Sequence, residues 1–540
     1  MPSRGGRRKR LRLERGARRL SATRRLGDRQ PSSRFYFRDN SSDVMEDRSC
    51  RDPAEATERR NGQLARGPQG ACLKVGVEKR TFTVDRALLT EHCEYFRALF
   101  QSGMKECHQE EIHIRGLSAS GFSIMLRVLG GERPILDGDD LVLAIESAAF
   151  LQVGLLTKHL IDITNSDNCL LMFHTAAEYG LLDLYRSTAL FIRDMYRDLE
   201  GDLRCLPEEL IEYIESLIPS VFVAVGTHSS CTADELPHAA TRTICYLDED
   251  KKEWKVLTSL PKEASTSMAG VTVLSNKLYI VGGIYGVHKQ IVEACFCYDP
   301  VGDTWSTIAS PQQLRYNFTL VGHEDRLYAI GGEYERRVMS SVEAFDISTG
   351  SWSFVCHLPR PATSAACAVA MSRIFVCLWK PMETTDIYEY APARDTWVLV
   401  TTLVRHQSYG HCMVAHRDNL YVMRNGPSDD FLRCMIDCYN VTSGQWMALP
   451  GHYANSKGAL FTAVVRGDSV FTVNRTLTLE YAIEDNKWKP KSEMKGFPRS
   501  GSMWTFLLRL PKTRKDQRNG SVLLDGNVRD SQNPSVNHSI

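Results

Sequence analysis

Along residues 72–85, CLKVGVEKRTFTVD, apolar and polar positions alternate with a period of two. Leu73, Val75 and Val77 share one face, and Glu78-Lys79-Arg80 supply the polar turn of a two-stranded hairpin. The period then lengthens. Leu88, Leu89, His92, Tyr95, Phe96, Leu99 and Phe100 recur at spacings of three and four, which predicts one buried face of a helix ended by Gly103. EEIHI reads as a short strand, and helical patterns follow around 118–130 and 139–151. Strands mixed with short helices over 69–163 predict a compact α+β domain. Residues 164–218 are helical by period. NSDNCLLMFHTAAEYG starts at Asn165 or Ser166 as N-cap and stops at Gly180, with Leu170, Leu171, Phe173, Ala177 and Leu181 as its apolar stripe. LYRSTALFIRDMYRDL and LPEELIEYIES make two further helices.

Beyond residue 219 a longer period takes over. An aromatic precedes a tryptophan by seven or eight residues six times: Tyr246/Trp254, Tyr298/Trp305, Phe345/Trp352, Tyr390/Trp397, Tyr439/Trp446 and Tyr481/Trp488. Successive tryptophans are 51, 47, 45, 49 and 42 residues apart, so six of the eight tryptophans fall on one lattice. Short strands and turns at a period near 50 predict an all-β propeller over 219–511, with one four-stranded blade per repeat and six blades in all. Turn residues such as DPVGD and DISTG separate aromatic from tryptophan and suit a hairpin between a blade's outer strands. The first unit begins abruptly at VFVAVG, and the last leaves a surplus strand, SGSMWTFLLRL. That surplus strand is expected to complete the first blade and close the ring, which removes open edges.

Charge alters the picture only at the N-terminus. Residues 1–38 hold fourteen Lys or Arg against Glu14 and Asp28, a balance of +12, so a net charge of +1 leaves −11 for the rest. Residues 1–68 are expected to be a disordered basic tail and 512–540 a second polar one. Arg7-Arg8-Lys9-Arg10 fits a nuclear address, and the body otherwise reads as cytoplasmic. No apolar run reaches the roughly 18 residues of a membrane helix, and no membrane or nucleic-acid partner is implied. The sixteen cysteines show no C-x-x-C spacing, which points to reduced, buried thiols. Cys295 and Cys297 lie two apart on a strand and are expected at a blade interface. No G-x-S-x-G, H-E-x-x-H or phosphate-binding lysine motif occurs, so neither an enzyme nor a cofactor is indicated.

Three segments carry a family resemblance. FTVDRALLTEHCEYFRALFQSGMKE and AAFLQVGLLTKHLIDI resemble a BTB domain, and NCLLMFHTAAEYGLLDL with LPEELIEYI resembles the start of a BACK domain. YIVGG (Gly282, Gly283) and YAIGG (Gly331, Gly332) match the kelch repeat, which is eroded to VAVG at Gly226 and replaced by VCLWK, VMRNG and FTVNR elsewhere. That order is similar to the kelch-like family, whose members are typically substrate adaptors of cullin-3 ubiquitin ligases. The resemblance implies a cullin-3 partner for the BTB and BACK segments and a protein substrate on the propeller. A BTB–kelch scaffold, for instance cytoskeletal, that does not recruit cullin is the alternative. Met104-Lys105-Glu106 matches the hydrophobic-x-Glu triplet of cullin-binding BTB domains, with Tyr95 and Phe100 on the helix before it. A BTB homodimer is also implied, although the exchanged N-terminal helix and strand have no counterpart before Ala71 and the BACK-like segment is short. Asp85 stands where the family usually has histidine.

The resemblance places substrate contacts on the propeller loops. Candidates are Tyr285, His288, Arg315, Tyr316, Tyr334, Arg336, Arg337, Arg360, Arg405, Tyr409, His452 and Arg499. Tyr and Arg are the types enriched at binding hot spots. Arg315, Arg360, Arg405 and Arg499 stand at blade starts and would form a basic mouth for an acidic or phosphorylated segment.

Overall fold

A computed structural model describes residues 72–103, 109–228, 241–285, 289–379, 384–404, 411–425, 433–450, 452–453, 462–473, 478–490 and 500–511. Both expected disordered tails lie outside these residues. The hairpin forms from Cys72–Val77 and Arg80–Asp85, and Glu111–Ile114 pairs parallel to its first strand. Leu73, Val75 and Val77 are buried together, as the alternation requires.

The helical face read from Leu88 to Phe100 is divided. Helix Arg86–His92 and helix Glu94–Gln101 are separated by Cys93, whose backbone is extended at φ −127 and ψ 106. The fully buried Cys93 thiol donates to the Leu151 carbonyl, and Glu94 N–H donates to the Gln152 carbonyl. Tertiary partners therefore take the backbone out of the helix at one residue. Asp85 caps the first helix by accepting the Ala87 N–H at 2.8 Å. Helices Ala119–Leu129, Gly138–Leu151 and Gly154–Asp162 complete the core of this half.

The next helix, Cys169–Tyr179, ends at left-handed Gly180. Its buried face is Cys169, Met172, Phe173 and Ala176, whereas Leu171 is exposed and Ala177 faces solvent. The expected stripe is thus rotated around the helix. Asn165 accepts the N–H groups of Asp167 and Asn168, while Ser166 points to the propeller. Helices Leu182–Asp194 and Glu208–Ser216 pack beside it, with Phe173, Tyr185 and Tyr213 stacked at 4.8 Å between neighbouring rings.

Six blades follow. Blade 1 takes its innermost strand, Ser500–Arg509, from the C-terminal end of the described chain, and that strand pairs antiparallel with Ser220–His228. Blades 2 to 6 begin with innermost strands Gly270–Leu274, Thr319–His323, Ala366–Ala370, His411–His416 and Thr462–Arg466. These six strands pack side by side around the ring, and Ser500–Arg509 sits between the innermost strands of blades 6 and 2. The surplus strand closes the propeller.

The aromatic lattice has a direct geometric cause. Tyr298, Phe345, Tyr390, Tyr439 and Tyr481 on the third strands lie opposite Trp305, Trp352, Trp397, Trp446 and Trp488 on the outer strands. Ring centroids are 4.9–5.3 Å apart in these pairs. In blade 1, where the spacing is eight, Trp254 faces Leu247 instead. Several indoles also stitch neighbouring blades. Trp352 and Trp397 donate to the Ala309 and Cys356 carbonyls, and Trp446 donates to the Thr401 hydroxyl. Cys295 and Cys297 are buried against Phe318 and Leu320 of blade 3, at a blade interface.

Gly282 and Gly283 end the second strand of blade 2 with φ +61 and +98. A Cβ on Gly282 would lie 2.8 Å from the Arg315 carbonyl oxygen, so crowding from the next inter-blade connection excludes a side chain. Gly282→Val is expected to cost about 1 to 3 kcal/mol in backbone strain alone, with the steric overlap added. Thermal unfolding followed by tryptophan fluorescence should show a lower midpoint.

Candidate functional site

The propeller has two unlike ends. One carries the tight turns between first and second and between third and fourth strands. The other carries the longer connections that follow the second strand and join one blade to the next. Bridges between Ser267 and Ile284, and between Tyr316 and Glu333, tie the two kinds of connection together on this second end, the loop face.

The helical half occupies the turn face. Lys158 of helix Gly154–Asp162 pairs with Glu324 at 2.8 Å, and Arg197 pairs with Asp250 at 2.7 Å. Asp194 accepts the Ser220 N–H and forms a bidentate pair with Arg509 at 2.9 and 2.8 Å. Ser166 bonds to Asp468. The Met195 side chain lies over Gly467, where a Cβ would displace it. Every such contact among the described residues falls on the turn face, and the loop face is left uncovered by the helical half.

Two short ribbons project from the loop face after the diglycines. In blade 2, Ile284–Tyr285 pairs with Gln290–Ile291, and in blade 3, Glu333–Tyr334 pairs with Arg337–Val338. Tyr285 is 57% exposed, with the Arg242 guanidinium over its ring at 5.4 Å. Arg336 and Arg337 are exposed, and Tyr334 is half-buried. Together they form a polar and aromatic edge on two adjacent blades.

The proposed basic mouth needs correction at its blade-start arginines. Arg315 is 1% exposed and lies inside blade 3. Its guanidinium pairs with the buried Glu343 carboxylate at 2.5 Å and donates to the Gly331 and Ser341 carbonyls. Such a group holds the loop to the blade and cannot reach a partner. Tyr316 is also buried, and its backbone pairs with Glu333. Arg360 is half-buried and pairs with Asp386 at 3.1 Å while donating to the Leu378 carbonyl. A third pair, Arg424–Asp437 at 2.8 Å, is buried in blade 5. The acids Glu343, Asp386 and Asp437 were not singled out from sequence, though a carboxylate in the middle of an apolar strand is the available signal. Arg405, Tyr409, His288 and Arg499 lie outside the described residues, as does the side chain of His452.

In the helical half, Tyr95 packs edge-to-face on Phe96 and lies 5.5 Å from the ring of exposed Phe150. Phe100 is covered by the Arg86 guanidinium at 4.0 Å. Helix Glu94–Gln101 forms one wall of a cleft of about 490 Å³ at the junction with the helical segment, lined by Glu94, Arg97, Gln152, Gly180 and Asp183 among others. Leu155 (41% exposed) and Leu182 (74% exposed) follow the lining residues Gly154 and Leu181 in sequence. Met104, Lys105 and Glu106, which follow this helix, lie outside the described residues.

Residues 71–167 match the BTB/POZ domain family, and residues 221–424 match the KLHDC2/KLHL20/DRC7 Kelch-repeats domain family. The Homo sapiens kelch repeat and BTB domain-containing protein 13 is 55% identical over 449 residues, covering 83% of this chain and 97% of that protein. The chain belongs to the BTB–kelch family. A more distant family relative, Mus musculus Kelch-like protein 42, is 28% identical over 459 residues, covering 76% and 91% of the two chains. In this BTB–kelch chain the family's two modules are thus seated directly against each other through the turn face.

Arg315 serves as a test of the corrected site. Breaking one side of a buried ion pair costs about 3 to 5 kcal/mol, so Arg315→Glu, which sets two carboxylates together, is expected to unfold blade 3. Circular dichroism should report a lowered melting midpoint rather than a folded protein with a silent binding face.

Proposed function

We propose that this chain is a substrate-recognition adaptor of a cullin-3 RING ubiquitin ligase. In this reading the BTB half with its helical segment binds the cullin, and the propeller's loop face holds the protein to be ubiquitinated. The observation that carries it is the polarity of the molecule: the helical half covers the turn face and leaves the loop face open. A binding protein that bridges two others needs two such independent surfaces. The cleft beside helix Glu94–Gln101, together with the exposed Leu155 and Leu182, supports the first surface. The triplet Met104-Lys105-Glu106 follows that helix in sequence and pairs an adaptable thioether with a carboxylate acceptor.

A scaffold that does not recruit cullin is the second reading, favoured by the short helical segment and the direct Lys158–Glu324 contact between BTB helix and propeller. Cullin-3 pull-down separates the two. The wild type is expected to retain cullin-3, and Met104→Ala/Glu106→Ala to reduce capture by about tenfold or more, as loss of hot-spot contacts does. No capture by the wild type would rule out the adaptor.

For the substrate, the exposed guanidiniums of Arg336 and Arg337 support an acidic or phosphorylated segment, read beside the aromatic Tyr285. Arg336→Glu/Arg337→Glu should abolish substrate capture in proximity labelling without changing the melting midpoint. Tyr285→Ala should weaken it.

A further inference from the structure

The seam between the helical half and blades 5 and 6 is organised around one buried carboxylate. Asp468 lies in the tight turn Arg466–Ser469 of blade 6. Its Oδ2 accepts the Ser166 backbone N–H at 2.8 Å and the Ser166 hydroxyl at 2.5 Å. Its Oδ1 lies 3.1 Å from His416 Nε2 and 3.2 Å from Arg417 Nη2, both from the equivalent turn of blade 5. Ser166 stands in the link between the last BTB helix and the first helix of the following segment. One anionic group therefore joins two blades to the link between two helical modules. Burial alone would raise its pKa, yet the neighbouring His416 imidazole and the hydrogen bonds from Ser166 outweigh that and hold it well below the usual carboxylate range.

The surroundings show that other contacts would not replace it. A cavity of about 270 Å³, lined by Thr164, Phe191, His416, Arg417 and Gly467 among others, lies beside the carboxylate, so packing there is open. Lys158–Glu324 and Arg197–Asp250 join half-exposed or fully exposed partners, and such pairs contribute little in water. The other anchored point is Asp194 with Arg509 and Ser220, at blade 1. Among the described residues the buried polar anchors of this seam are these two, and Met195 lies over Gly467 beside the first, so release of Asp468 leaves the Asp194–Arg509 clamp as the pivot.

We propose that Asp468 is a charge-operated latch: while it holds Ser166, the BTB half and the propeller move as one body, and its release lets the BTB half pivot about the Asp194–Arg509 clamp. Two variants attack the latch from opposite sides. Asp468→Asn removes the charge that attracts His416 and Arg417. Ser166→Asp leaves the propeller untouched and sets a like charge against Asp468.

Hydrogen exchange of the full chain reads the outcome. Both variants are expected to speed amide exchange across residues 160–169 by about tenfold or more, since each loses charge-assisted hydrogen bonds. The innermost strands of all six blades should keep their protection. Unchanged exchange at 160–169 in both variants would overturn the latch. So would loss of protection throughout the blades in both, because Asp468 would then be a residue of the fold.

Discussion

The propeller depends on one pairing, between Ser500–Arg509 and Ser220–His228. Five blades are each made from a contiguous stretch of chain, but blade 1 exists only when the two ends of the domain meet. Arg509 sits where that closure is secured. Its backbone N–H and carbonyl both engage Asn276 of blade 2, and its guanidinium reaches Asp194 and the Ile218 carbonyl. The same residue thus belongs to the closing strand, the next blade's turn and the helical segment. Closure of the ring and seating of the helices share a charged group, so neither is independent of the other.

The repeat was legible because its chemistry is local. A seven-residue step places an aromatic on the third strand directly opposite a tryptophan on the fourth, and any sequence that builds this hairpin writes the same spacing. Gly282 and Gly283 were legible for a similar reason, since their backbone conformation and the crowding by the Arg315 carbonyl at the first and the Ser267 carbonyl at the second demand glycine. The break at Cys93 was not legible. The apolar spacing runs straight through it, and only the distant Leu151 and Gln152 carbonyls explain why the backbone leaves the helix.

The arginines show the same limit at the binding surface. Arg315 and Arg360 precede their blades by similar intervals and read alike with the exposed Arg336 and Arg337. What separates them is a carboxylate on a strand some thirty residues later: Glu343 lies 28 residues beyond Arg315, and Asp386 lies 26 beyond Arg360. A guanidinium with a buried acid within reach is neutralised and desolvated, whereas one on a ribbon tip keeps its charge for a partner. Among the described residues, the candidate arginines left exposed on the loop face are accordingly Arg336 and Arg337 of the blade 3 ribbon.

The shortness of the helical segment has a mechanical meaning. A module seated on the turn face can be no farther from the loop face than the blades are deep. Five-residue strands, such as Thr319–His323, span about 17 Å. The propeller's own thickness then sets the spacing between the seated surface of the helical half and the loop face. Lengthening the helical segment would add reach only by unseating it from the turns.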